Sequence, residues 1–111
     1  MMSEVTVHTI PGSPFARAAL ATLEEKQVSW RIAPLRPGQH REQAHLARNP
    51  FGRMPVMDHG DFTLYETQAI VRYIDRVWPR PALTPEDPRG AARMDQAMNA
   101  TTGICSRAAA M

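Results

Sequence analysis

The chain has 111 residues, 43% of them hydrophobic and 22% charged. That length suits one domain with a single core, and the composition is far from that of disordered chains. Its 13 basic and 11 acidic residues leave a formal charge of +2 with no basic tract, which argues against nucleic acid or an anionic membrane surface as a partner. A single cysteine, Cys105, excludes an intramolecular disulfide and any cysteine-rich metal site. No basic n-region with an apolar stretch follows Met1, and no apolar run approaches the roughly 18 residues of a membrane helix, so a cytoplasmic protein is expected.

Val5 to Thr9 is β-rich and is stopped by the turn signal Pro11-Gly12. Ser13-Pro14 then reads as an N-cap with proline at the first helical position, opening a helix from Phe15 to Lys26 with Phe15, Ala19, Leu20 and Leu23 at helical spacing. Val28 to Ala33 alternates apolar and polar residues and predicts a second strand, parallel to the first because a helix intervenes. After a break at Pro34 to Gly38, the polar stretch Gln39 to Ala47 predicts a short, irregular helix.

Val56 to Asp58 and Phe62 to Leu64, joined by His59-Gly60-Asp61, predict an antiparallel hairpin. A helix from about Glu66 places Ala69, Ile70, Tyr73, Ile74 and Val77 on one side and Gln68, Arg72, Asp75 and Arg76 on the other, before Pro79 stops it. Four prolines lie between Pro79 and Pro88, which reads as a linker. Strand, helix, strand, weak helix, hairpin, helix predicts an α/β, thioredoxin-like fold: a four-stranded mixed sheet flanked by helices, with a short helical C-terminal extension.

Three segments, "SPFARAALATLEEK", "HLARNPFGRMPV" and "GDFTLYETQAIVRYI", carry a family resemblance through their order and spacing. In them the chain resembles the N-terminal domain of the cytosolic glutathione transferases, most closely the phi-like and related bacterial members, over roughly residues 4 to 78. The resemblance implies residues 1–80 as a glutathione-binding domain and 81–111 as the linker and start of a truncated all-helical domain. "RGAARMDQAMNATTGI" looks like that domain's first helix, while "CSRAAAM" departs from the family's apolar and aromatic pattern.

The resemblance also implies a site. Glutathione, the co-substrate, is anionic at both ends with a thiol between them, so it needs main-chain pairing and donors for two carboxylates. Only about 5 to 6% of X–Pro bonds are cis, so the residues alone favour a trans Met54-Pro55 bond. The resemblance implies a cis bond with the Met54 main chain pairing to the cysteinyl unit. It implies Glu66 facing the α-amino group, Thr67 and the helix N-terminus facing the γ-glutamyl carboxylate, and His40, Arg41 and Arg53 near the glycyl carboxylate. Read as residues, Glu66 and Thr67 are an ordinary helix start and Arg41 a solvated surface residue.

Ser13 is implied as the catalytic residue, its hydroxyl donating to the glutathione sulfur to favour the thiolate, which then attacks an electrophilic small molecule. Its residue reading is the N-cap of the first helix. Aligned on Ala16-Arg17 without a gap, Gly12 stands in the serine's place; aligned on Val7, Ser13 does. Phe15, Trp30 and Tyr73 are expected in the core, Arg17 in a structural role, and His8, His45 and His59 as structural or exposed. No metal is expected.

Two other function classes remain open at the sequence level. A glutaredoxin-like thiol exchanger needs a thiol where Ser13 stands, and Cys105 lies in the tail. A non-catalytic glutathione- or protein-binding module fits if the apolar side of the last helix, around Ile70, Ile74 and Val77, is left uncovered. The resemblance implies a homodimer, with Phe51 in the subunit contact, and a role in detoxification.

Overall fold

The computed structural model describes residues 4–110, with side chains described up to residue 100. Met1, Met2, Ser3, Met111 and the Cys105 side chain, with the rest of the atypical tail's side chains, lie outside the described residues. In chain order the elements are β1 (Val5–Thr9), α1 (Pro14–Glu25), β2 (Trp30–Pro34), a 3-10 turn (Gln39–Arg41), α2 (Gln43–Leu46), β3 (Val56–His59), β4 (Phe62–Tyr65), α3 (Thr67–Val77) and α4 (Pro88–Ala110).

The sheet order is β2-β1-β3-β4. β1 runs parallel to β2, with Val7 opposite Ile32, and antiparallel to β3, with Val7 opposite Met57. β3 and β4 pair from Val56–Tyr65 to His59–Phe62, leaving the two-residue turn Gly60-Asp61. Gly60 sits at a φ of 63°, which a tight hairpin asks of its first turn residue and glycine supplies without strain.

Alternation along the strands builds the core. Val5, Val7 and Met57 point to one face and meet Ala19 and Leu23 of α1 and Ile70 and Ile74 of α3, all with 0% exposure. Each such large side chain contributes about 1.5–3 kcal/mol on burial. Ile70 and Ile74 thus lie inside the domain, which overturns the expectation of an uncovered apolar face there; Val77 is half-buried. The apolar stripe of α3 was needed to cover the sheet.

β2 starts two residues later than expected, at Trp30, because Val28 closes α1 instead. Gln27 adopts a left-handed φ of 56°, its N–H donates to Glu24 O at 3.0 Å, and the Val28 N–H donates to Leu23 O at 3.0 Å. That is a Schellman closure with glutamine in glycine's usual place.

Asp75 corrects a second expectation. It is not on the solvent side of α3: its carboxylate accepts from Lys26 Nζ at 2.6 Å, with side-chain exposures of 10% and 0%. Lys26 Nζ also donates to Pro81 O, and the Leu83 N–H donates to Asp75 Oδ1 at 2.9 Å. The pair therefore ties α1, α3 and the proline-rich segment together. One turn earlier on α3, Arg72 reaches Asp95 of α4 at 2.8 Å. Asp87 opens α4 by accepting the Gly90 N–H at 2.7 Å, with Pro88 at the first helical position.

Burial pushes the Asp75 carboxyl up, but hydrogen bonds from Lys26, Thr84 and the Leu83 N–H outweigh it and hold it at about 2, against an ordinary 3.8. A depressed folded-state pKa contributes stability that is present above the unfolded value and lost as pH falls through the folded one. Unfolding by urea should therefore become easier between about pH 4 and pH 2, and Asp75→Asn should flatten that part of the profile. An unchanged slope in the variant would count against the pair as its source.

Candidate functional site

A cleft of about 860 Å³ opens where the end of β1, the start of α1, the segment before β3 and the start of α3 converge. Three stretches of chain build it.

The first runs from Ile10 to Phe15. Ser13 donates its N–H to Ile10 O at 3.1 Å and accepts the Arg17 N–H on its carbonyl at 3.2 Å. It occupies the cap position with an extended φ of −61° and ψ of 128°, yet its hydroxyl makes no capping bond. Ser13 is thus the N-cap by position, as expected, but without the side-chain bond that usually goes with it. Pro14 at the first helical position removes one orphan N–H, and the half-buried Ser13 lies on the cleft wall with a hydroxyl that makes no cap bond among the described residues. Gly12 holds a left-handed φ of 90° and has no functional group, so of the two candidates only Ser13 offers the cleft a hydroxyl. Phe15, expected in the core, is half-buried and lines the cleft; Arg17 is exposed.

The second stretch carries the cationic end. His40, Arg41 and Arg53 line the cleft, the two arginines exposed and His40 half-buried with its Nδ1 buried and unpartnered. Met54 and Pro55 follow, joined by a cis peptide. β3 pairs only from Val56, so the main-chain N–H and C=O of Met54 stand outside the ladder at the cleft. Met54 Sδ accepts the Ile10 N–H at 3.3 Å, joining this stretch to the first.

Three residues that sequence reading did not assign to the site shape this loop. Asn49, 2% exposed, donates from Nδ2 to Arg53 O at 3.2 Å and accepts the Phe51 N–H on Oδ1 at 3.0 Å. His45, 1% exposed, has Nε2 at 2.7 Å from the same Arg53 O. Gly52 is buried at a φ of 65°, where a Cβ would stand 3.2 Å from Leu46 Cδ2. The Asn49-Pro50 pair and Gly52 are turn signals legible in the sequence, whereas nothing local distinguishes His45.

The third stretch is Glu66-Thr67. Glu66 has a φ of 77° and ψ of 119°, far from helical, and conformations of this kind cost about 1–3 kcal/mol in a non-glycine residue. Its side chain is exposed at the cleft. The Thr67 hydroxyl donates to Phe15 O at 3.1 Å, so its one proton links α3 to α1. What α3 offers the cleft is the set of unpaired N–H groups in its first turn, with the positive end of the helix dipole behind them.

The remaining histidines are structural, as expected. His8 pairs with Asp58 at 2.7 Å, and His59 Nδ1 lies 2.7 Å from the Tyr73 hydroxyl. Burial raises the Asp58 carboxyl, but hydrogen bonds from His8 and Thr63 prevail and lower it.

One end of the cleft is thus cationic, the other pairs a carboxylate with a helix N-terminus, and free main-chain groups and a hydroxyl lie between. On a thioredoxin-like sheet, such an arrangement suits an extended, zwitterionic peptide. The chain belongs to the family described as glutathione S-transferase, N-terminal domain, whose model matches residues 3–76. It is 48% identical over 66 residues to glutathione S-transferase 4 of Zea mays, covering 58% of this chain and 30% of that protein. Against glutathione S-transferase F6 of Arabidopsis thaliana it is 36% identical over 75 residues, covering 66% of this chain and 36% of the relative. A glutathione transferase homologue from Sulfitobacter with bound glutathione superposes with a TM-score of 0.81 at 30% identity, over 88% of this chain and 48% of that one. The chain therefore spans about a third of these curated relatives and about half of that structure.

Proposed function

We propose that the cleft binds glutathione and activates its thiol for conjugation to electrophilic small molecules. The observation that carries this reading is the convergence of Ser13, the donors His40, Arg41 and Arg53, the Met54-Pro55 main chain and the Glu66-Thr67 helix start on one cleft. The glycyl carboxylate meets Arg53, Arg41 and His40, and the Met54 main chain pairs with the cysteinyl unit. The γ-glutamyl carboxylate takes the first N–H groups of α3, and Glu66 takes the α-amino group. The Ser13 hydroxyl donates to the sulfur and favours the thiolate as the thiol proton leaves to solvent. The sulfur then forms a bond to the electrophilic carbon, and the displaced group departs with its electron pair. The solved Sulfitobacter homologue with bound glutathione supports the ligand, and a solved serine-to-cysteine variant of poplar glutathione transferase F1, 30% identical, belongs to the same family.

The same reading takes residues 1–80 as the glutathione-binding domain, with 81–111 as linker and start of a helical domain. It takes the assembly as a homodimer, supported by Phe51, 70% exposed on the loop before Met54, and the location as the cytoplasm.

The test is titration calorimetry of the full chain with glutathione, with conjugation of a generic aromatic electrophile measured alongside. Binding with turnover is expected; binding without turnover would instead assign a non-catalytic glutathione-binding module. Absence of binding would overturn the site.

A further inference from the structure

We infer that His45, which does not line the glutathione cleft, is a positioning residue for it, acting through the Arg53 carbonyl. The inference rests on the proposed glutathione reading and adds a residue that makes no ligand contact.

His45 is 1% exposed, on α2. On one side its Nε2 lies 2.7 Å from Arg53 O. A carbonyl oxygen can only accept, so Nε2 must carry the proton. Arg53 immediately precedes Met54, so this bond fixes the peptide plane that sets the direction of the Met54 N–H. The same plane sets where the Arg53 side chain leaves the loop. Asn49 adds a second, longer donor to the same oxygen, at 3.2 Å. Two buried side chains thus converge on one main-chain oxygen at the cleft's cationic end.

On its other side His45 lines a separate cavity of about 180 Å³ between α2 and the sheet, with Gln39, Glu42 and Arg48 on its walls. His45 Nδ1 is buried and has no protein partner. With the proton on Nε2, Nδ1 is an acceptor. No partner among the described residues draws the proton to Nδ1, so the Arg53 carbonyl sets the tautomer.

A spacer residue would fill the same volume without the proton, and this distinguishes positioning from packing. His45→Phe keeps an aromatic ring and removes the donor; His45→Gln keeps an N–H of similar reach. Calorimetry with glutathione should show about tenfold weaker binding for the phenylalanine variant and recovery to within about threefold for the glutamine variant. Combining His45→Phe with Arg53→Ala should cost less than the product of the single effects, because both act through one carbonyl and its residue. Equal affinities for wild type and His45→Phe, or fully multiplicative effects with Arg53→Ala, would overturn the inference. If His45→Phe does not fold, nitrogen-15 chemical shifts of the wild-type imidazole still expose the inference to refutation: it requires the Nε2–H tautomer, and an Nδ1–H tautomer overturns it. If the wild-type chain binds no glutathione, the proposed function fails instead, while the tautomer remains measurable.

Discussion

Ser13→Ala should slow glutathione conjugation by roughly 10- to 150-fold while leaving the affinity for glutathione within about threefold. A hydrogen bond to a charged partner is worth about 1.5–3 kcal/mol, and each 1.4 kcal/mol is tenfold in rate. The whole of that should appear in the chemical step, because the hydroxyl has no structural employment: it makes no cap bond, and the helix closes through main-chain contacts alone. Stability should accordingly stay nearly constant. A readout specific to thiol activation is the pKa of bound glutathione, followed by thiolate absorbance, which should rise in the variant. A large loss of stability with an unchanged thiol pKa would return Ser13 to a capping role and remove it from the chemistry.

Lys26→Met should lower the unfolding free energy by about 3–5 kcal/mol, the cost of leaving one half of a buried ion pair uncompensated. Its partner Asp75 has a side-chain exposure of only 10%, and the carbonyl of Pro81 loses the same donor. Replacing both charges, as in Lys26→Met with Asp75→Leu, should recover part of the loss, since the pair offsets its own desolvation incompletely. Denaturant unfolding of the two variants checks this. A single-variant effect below about 1 kcal/mol would show that the pair is solvated enough to behave as a surface bridge. Because the Leu83 N–H also bonds Asp75, the double variant should further speed amide exchange at Leu83.

The sequence exposed the parts of this molecule that local rules govern. β1, the proline-opened α1, the glycine-turned hairpin and the amphipathic α3 follow from period, punctuation and propensity, and they stand where those signals place them. The misplacements have one physical origin, which is that a pairing with a distant segment outweighed the local signal. Val28 looks like a strand residue but closes a helix; Asp75 looks solvated until Lys26, 49 positions earlier, meets it. Ile70 and Ile74 have the pattern of a face left open, and only the sheet's placement shows them covered. At the cleft, the residues implied by family resemblance line one cavity, whereas Asn49 was legible only as a turn signal and His45 not at all, since both act on a main-chain oxygen that carries no letter in the sequence.

The central pairing of β1 with β3 brings Ile10 against Met54, and with them the two longest walls of the cleft. Those walls belong to segments far apart in the chain, so an unfolded or half-zipped chain has no site to offer. A ligand of this cleft therefore acts as a chaperone of the native state by mass action, adding about 2.7 kcal/mol at a hundredfold excess over its Kd. If glutathione is that ligand, as proposed, its concentration would help set how long the protein stays folded, whether or not conjugation follows.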